Sequence, residues 1–406
     1  MSTGTPTGTR STGGTADARP RGLRAWVRAR SQHAADRAVE GLYESVRANP
    51  DSATGPGAAS VTASVLAWCV HLVTLAMLVV AIVLVALTPT HPVAVVGAAL
   101  LLCAAWLTRP RPGTEPPDVQ WVQSPPVLDL VRQVAHAAGA PVPHRVGFDD
   151  RLNATYHVVG WRRERLLVIG MPLWEALPGQ QRVALVAHEL GHAAAKNSRH
   201  RFVVSSALAA LREWMLVCHY ESSPATAAER HSTQNAAAGL VQLSEMAARW
   251  ILAVVGLVPA AVYSVLLAAT QRQSQRAESG ADLAGAAVAG RQAMVAALST
   301  VMEGDALMLA MRRTAMGSTD RDVLAAVRAE GQRLSADDWP SRRNRHRNGP
   351  FDSHPPDELR RGLVLTLAER PPTVVLDDTR AARIDAELAP VRAWATRRVY
   401  DSFQAH

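Results

Sequence analysis

His188-Glu189-Leu190-Gly191-His192 is the segment of this 406-residue chain whose residue types and spacing point most directly to chemistry. On a helix, positions four apart share a face, so both imidazoles can reach one metal ion. Glu189 lies beside them, placed to take a proton from a water that the metal activates. Val183, Leu185, Val186 and Leu190 supply an apolar face, and Pro178-Gly179 marks a start. The pattern predicts a helix from Gln180 to about Ser198.

A two-histidine zinc site needs a third protein ligand and an open position. The best candidate is Glu278, in Arg276-Ala277-Glu278-Ser279-Gly280-Ala281-Asp282. Glu278 and Asp282 are again four apart. Glu278 would bind the ion, while Asp282 would accept a hydrogen bond from a ligand histidine and fix its tautomer. Acid pairs at this spacing are common on solvated helices. This one lies between an apolar run and an Ala-rich stretch, so a buried pair with a purpose is expected.

The elements around these residues divide the chain. Charged residues make up 19% and hydrophobic ones 48%, which suits a folded chain with membrane content. The formal charge is +8, yet Lys196 is the only lysine and no aromatic-plus-basic stretch occurs. Nucleic-acid binding is therefore not expected. Cys69, Cys103 and Cys218 include no CxxC pair, which argues against a thiolate metal site or a disulfide framework. Residues 1–19 are Ser/Thr/Gly-rich, the composition of a disordered tail. Residues 20–60 hold an Arg-rich amphipathic helix, suited either to a membrane surface or to solvent, and then a linker.

Val61 to Thr88 contains no charged residue and is long enough to span a bilayer. Val93 to Leu107 is a shorter apolar run, so 61–107 reads as a transmembrane hairpin. Arginines flank the hairpin and its loop has none, which puts both flanks in the cytoplasm. A metal-site domain over 108–406 follows. It begins with a helix over Pro126–Ala138 and β-like runs at Arg145–Phe148, Ala154–Val159 and Arg165–Ile169. Further apolar stretches lie at 202–220 and 250–270. His188 and Glu278 must meet on one side of a membrane, so an even number of crossings separates them. Either both stretches span, with Arg212 and Glu213 paired inside, or neither does. A last helix is expected from Thr379 to about Phe403.

Taken together, these features resemble the HtpX-type membrane metallopeptidases, the family that also contains the CAAX prenyl endopeptidases. The apolar hairpin, Asn153-Ala154 before a β-like run, HELGH, Glu278-Ser279-Gly280-Ala281-Asp282 and Asp352-Ser353-His354-Pro355-Pro356 with Arg360 follow in the family's order. The resemblance covers roughly 60–370. It implies a mainly α fold with a small β-sheet (α+β): a zincin-like domain, an N-terminal transmembrane hairpin and one or two apolar helices between the two metal motifs. It also implies one zinc ion per chain and endopeptidase activity at the cytoplasmic face of a multi-pass membrane protein, in membrane-protein quality control. The partners would be the lipid bilayer and a polypeptide, a membrane or misfolded protein, lying against an edge strand at Asn153 and Ala154. His354 would stabilise the oxyanion and Arg360 would support the site. Two departures stand out: Thr155-Tyr156 follows Asn-Ala, and residues 319–350 form a long polar insertion. The alternative is a zinc-binding membrane sensor or scaffold that cleaves nothing, for which Glu189 would be superfluous.

Overall fold

A computed structural model describes residues 39–49, 58–109, 113–194, 198–218, 236–317, 322–336 and 357–405. The expected tail at 1–19, residues 319–321 and 337–350 of the expected insertion, and His354 lie outside the described residues. The rest of that stretch is not a polar insertion: Val323 to Ala336 is a helix whose Val323, Leu324 and Val327 are buried in the core.

Residues 39–48 are helical (α1). Two apolar helices follow, α2 (Ala58–Leu87) and α3 (Pro92–Leu107). They form the expected hairpin, turning at Thr88 to His91 with Pro92 in the first turn of α3. Among the described residues nothing covers their outer faces: Leu72, Leu87, Val93, Leu100 and Trp106 are each more than half exposed. Among the described residues, α2 is the one helix long and apolar enough by itself to cross a membrane.

A four-stranded mixed sheet comes next, in the order β1-β2-β4-β3, built from β1 (Gln120–Val122), β2 (Arg145–Asp149), β3 (Ala154–Val159) and β4 (Glu164–Gly170). The amphipathic helix α4 (Pro125–Ala137) sits between β1 and β2 in sequence and buries Val127, Leu130, Val131 and Val134. β4 lies between β2, with which it is parallel, and β3, with which it is antiparallel. Its residues Leu166 to Gly170 are buried, as a central strand requires. β3 is an edge strand and only partly buried. β1, three residues long, was too short to stand out in the sequence.

The rest is helical. α5 (Met171–Ala176) leads through a Gly179 turn into α6 (Gln180–Ala194), which carries HELGH, and α7 (Ser198–Cys218) contains most of the 202–220 stretch. α8 (Ala236–Ala289) runs unbroken through the 250–270 apolar stretch, Pro259 included, and on into Glu278 and Asp282. The apolar stretch and the acid pair thus share one helix rather than two. α9 (Arg291–Met302), which packs on α6, is followed by α10 (Gly304–Gly317), α11 (Val323–Ala336) and α12 (Asp357–Leu365). The expected final helix is two, α13 (Asp378–Glu387) and α14 (Ala389–Gln404), with Pro390 in the first turn of the second.

Two clusters organise the helices. The main core joins the sheet, α4, α5, α6 and α9 to α11, with Phe148 edge-on to Trp174 at 5.6 Å. A smaller one joins α2, α7 and α8 through Ala63, Ala67, Val204, Ala207, Leu211 and Leu266. Small residues let these three helices approach closely. α1 packs on neither cluster. Val39, Tyr43 and Val46 close against Leu283 of α8 and Leu359 and Leu363 of α12. The described part of the basic N-terminal helix is therefore covered by protein, not by lipid or solvent alone.

Candidate metal centre

The crossing of α6 and α8 creates the site, and small residues permit it. A Cβ added at Gly191 would come within 3.0 Å of Ala281 Cα and 3.1 Å of Ala284 Cβ. The glycine inside HELGH is thus the point where α8 comes nearest. One turn deeper, Gly285 faces the Ala184 carbonyl. The far ends are tied by the Gln180 side chain, whose Nε2 donates to the carbonyls of Ala289 and Val374 and whose Oε1 accepts from Leu376 N–H. The start of α6 is also pinned by buried Arg182, which donates to the Trp174 and Leu177 carbonyls and pairs with Asp385 at 2.7 Å. Crossed closely at Gly191 and tied at the Gln180 end, the two helices bring their ligand-type side chains to one place.

His188, His192 and Glu278 each offer an atom there, all within 4.8 Å of one another. His188 Nε2 is 3.6 Å from Glu278 Oε2, and His192 Nε2 is 3.5 Å from Oε1. These distances exceed a normal hydrogen bond. They match the edge of a coordination tetrahedron, about 3.3–3.6 Å for metal–ligand bonds of about 2.0–2.2 Å. The donor set and its spacing therefore fit a zinc-type ion. The imidazole planes stand nearly perpendicular, 87° apart, with centroids 4.8 Å apart.

Behind the three lies a chain of charge. His188 Nδ1 is 2.9 Å from Asp282 Oδ1, leaving Nε2 aimed at the centre. Asp282 is fully buried and is gripped by Arg360, Nε to Oδ2 at 2.9 Å and Nη2 to Oδ1 at 2.7 Å. The same Nη2 is 3.3 Å from Glu278 Oε2. One guanidinium thus orients both carboxylates, in the fork geometry that lysine could not supply. Burial pushes the Asp282 carboxyl up, but Arg360 and His188 outweigh it and hold its pKa down at about 2. Burial likewise disfavours a charged His188, but the Asp282 carboxylate beside it raises the pKa of His188 overall.

The other residues singled out from the sequence fall as follows. Glu189 is partly exposed on α6 between the two histidines. Ala154 opens β3 opposite Ile169. Asn153 precedes it, with Oδ1 accepting from Ala154 N–H, Nδ2 donating to Thr155 Oγ1 and its carbonyl accepting from Gly170 N–H. Gly170 is required there, since an added Cβ would fall 1.7 Å from the Arg151 carbonyl oxygen. β3, the end strand of the sheet, packs beside α6. Tyr43 is a site neighbour with no local signature in the sequence. It reaches the site from α1, 6% exposed, and packs against α8 and α12 near Ser279, Asp282 and Arg360. Burial raises the pKa of its hydroxyl far above the usual range. An aromatic residue on a basic amphipathic helix carries no mark of such a partner.

Comparison with known proteins gives one result. No curated protein and no solved structure matches the chain. A sequence model of peptidase family M48 matches residues 123–363, from just after β1 into α12, and includes His188, Glu189, His192, Glu278, Asp282 and Arg360 but not Tyr43. The chain belongs to peptidase family M48, the family that contains HtpX and CAAX protease-like members.

Proposed function

We propose that the protein is a zinc-dependent, membrane-anchored endopeptidase. The observation that carries this reading is the convergence of His188, His192 and Glu278, with ligand atoms within 4.8 Å of one another beside Glu189, in a chain of a peptidase family. Zinc held by these three residues would supply Lewis acidity, polarising the scissile carbonyl and lowering the pKa of water. The Glu189 carboxylate takes the proton of the attacking water and delivers it to the leaving amine. Asp282 holds His188 in one tautomer, and Arg360 holds Asp282. His354 donates to the oxyanion of the tetrahedral intermediate. The substrate extends alongside Ala154 to Val159, adding a strand to the free edge of the sheet, with Asn153 fixing the start of that strand.

The exposed apolar faces of α2 and α3 support the membrane setting. Leaving such side chains in water forgoes about 1.5–3 kcal/mol each. Six of them would match the whole net stability of a domain, about 5–15 kcal/mol. A bilayer removes that cost. With α2 and α3 as one pair of crossings and α7 and α8 as another, α1 and the site lie on the same side. The packing of α1 on α8 and α12 agrees with that count. The arginines flanking the hairpin assign the side to the cytoplasm. Substrates in this setting are membrane or misfolded polypeptides, as in quality control.

The test is cleavage of an unfolded protein such as casein by detergent-purified enzyme. Chelation should stop cleavage and stoichiometric zinc should restore it. Cleavage indifferent to chelation would reject the metal mechanism.

A further inference from the structure

One exposed feature of the protease domain lies close to the end of α3. The turn between β3 and β4, Gly160-Trp161-Arg162-Arg163, is held to the chain that leaves the hairpin: Gly160 N–H donates to the Gly113 carbonyl at 3.0 Å. Gly113 is four residues beyond Arg109, so covalent reach puts it within about 14 Å of that residue. Arg109 itself stacks on Trp106, with its guanidinium carbon 3.4 Å from the ring centroid, at the last turn of α3. An aromatic ring under an arginine at the end of an apolar helix suits the bilayer interface.

The turn repeats that chemistry. Trp161 is 75% exposed and Arg162 is exposed beside it. The turn is rigid: Arg163 N–H bonds back to the Gly160 carbonyl at 3.2 Å, with Gly160 and Arg163 both at positive φ, 65° and 56°. A large aromatic fixed in water, flanked by cations, has no structural purpose in the core. In a headgroup layer the indole takes the interfacial position and the guanidinium groups meet anionic phosphates.

We propose that the β3–β4 turn rests in the headgroup layer of the bilayer, with Trp161, Arg162 and Arg163 as its contacts. This rests on the membrane-anchored reading above. β3 then begins at the membrane surface at its Val159 end and runs inward for about 20 Å. α8 supplies the same scale from the other side, because Glu278 lies eight residues, about 12 Å, past the apolar stretch that ends at Thr270. A polypeptide tail emerging from the bilayer meets the open edge of the sheet at once.

The full chain in nanodiscs containing anionic lipid tests this, with Cys69, Cys103 and Cys218 replaced by alanine and a spin label placed singly at positions 106, 162 and 370. Arg370 is exposed near Gly290, at the far end of α8. A label at 162 should show headgroup depth, less accessible to a water-soluble relaxer than 370 by about tenfold and shallower than 106. A label at 162 as accessible as 370, with 106 in lipid, overturns the proposal while leaving the membrane anchor intact. A label at 106 in water overturns the anchor itself. The same label at 161 is the second position should Arg162→Cys fail to fold, and it is read against the same limits.

Discussion

The α6–α8 crossing and the α2–α3 hairpin are both helix pairs, and they use opposite means. At the crossing, glycine and alanine remove bulk so that charged side chains can meet, and nearly every charge there answers another. At the hairpin the sequence is almost wholly apolar, and large side chains such as Leu72, Leu87 and Leu100 are exposed among the described residues. The first pair is specified by particular contacts, and the second by composition. Single substitutions should therefore be costly in one and nearly silent in the other.

Arg360→Ala should have the largest effect on folding. It leaves the fully buried Asp282 and the buried Glu278 without their shared cation, which costs about 3–5 kcal/mol. Thermal unfolding in detergent would show a fall in Tm of several degrees. Tyr43→Ala comes next. It empties a buried aromatic position between α1 and the site, at about 3 kcal/mol. Tyr43→Phe should recover most of that, because packing dominates. Gly191→Val forces α6 and α8 apart and should cost about 1–3 kcal/mol. It should also weaken metal retention in chelator competition, because the ligand atoms separate with the helices. Asp282→Asn keeps the volume but withdraws the charge that orients His188, and should lower metal affinity by about 10–100-fold. Leu100→Ala on α3 should change Tm least, by an amount equivalent to under about 0.5 kcal/mol. A large effect there would mean that α3 is covered by protein, and the contrast would fail.

The same contrast explains what could be read in advance. The hairpin was legible because an uncharged run has few alternatives. HELGH was legible because its spacing matches the helix period, and α6 forms over Gln180–Ala194. The strands at 145, 154 and 164 were legible from β-branched runs between glycines. α8 was not, because Arg272 and Arg276 end the apolar run in the sequence while the helix itself continues past them to Ala289. The docking of α1 was not legible either. A basic amphipathic helix carries the same pattern whether its apolar face meets lipid or Leu283, Leu359 and Leu363. Arg360 stood out only through family resemblance, since no local pattern ties it to an acid 78 residues earlier. His354, known from the same motif, lies outside the described residues.

The measurement that tests the central claim most directly compares wild type with Glu189→Gln for zinc content and casein cleavage in one preparation. The account predicts one zinc per chain in both, with cleavage reduced about a thousandfold in the variant, within the roughly 10²–10⁴-fold that acid–base assistance commonly supplies. Cleavage retained by Glu189→Gln, or a wild type that binds no zinc, would contradict it.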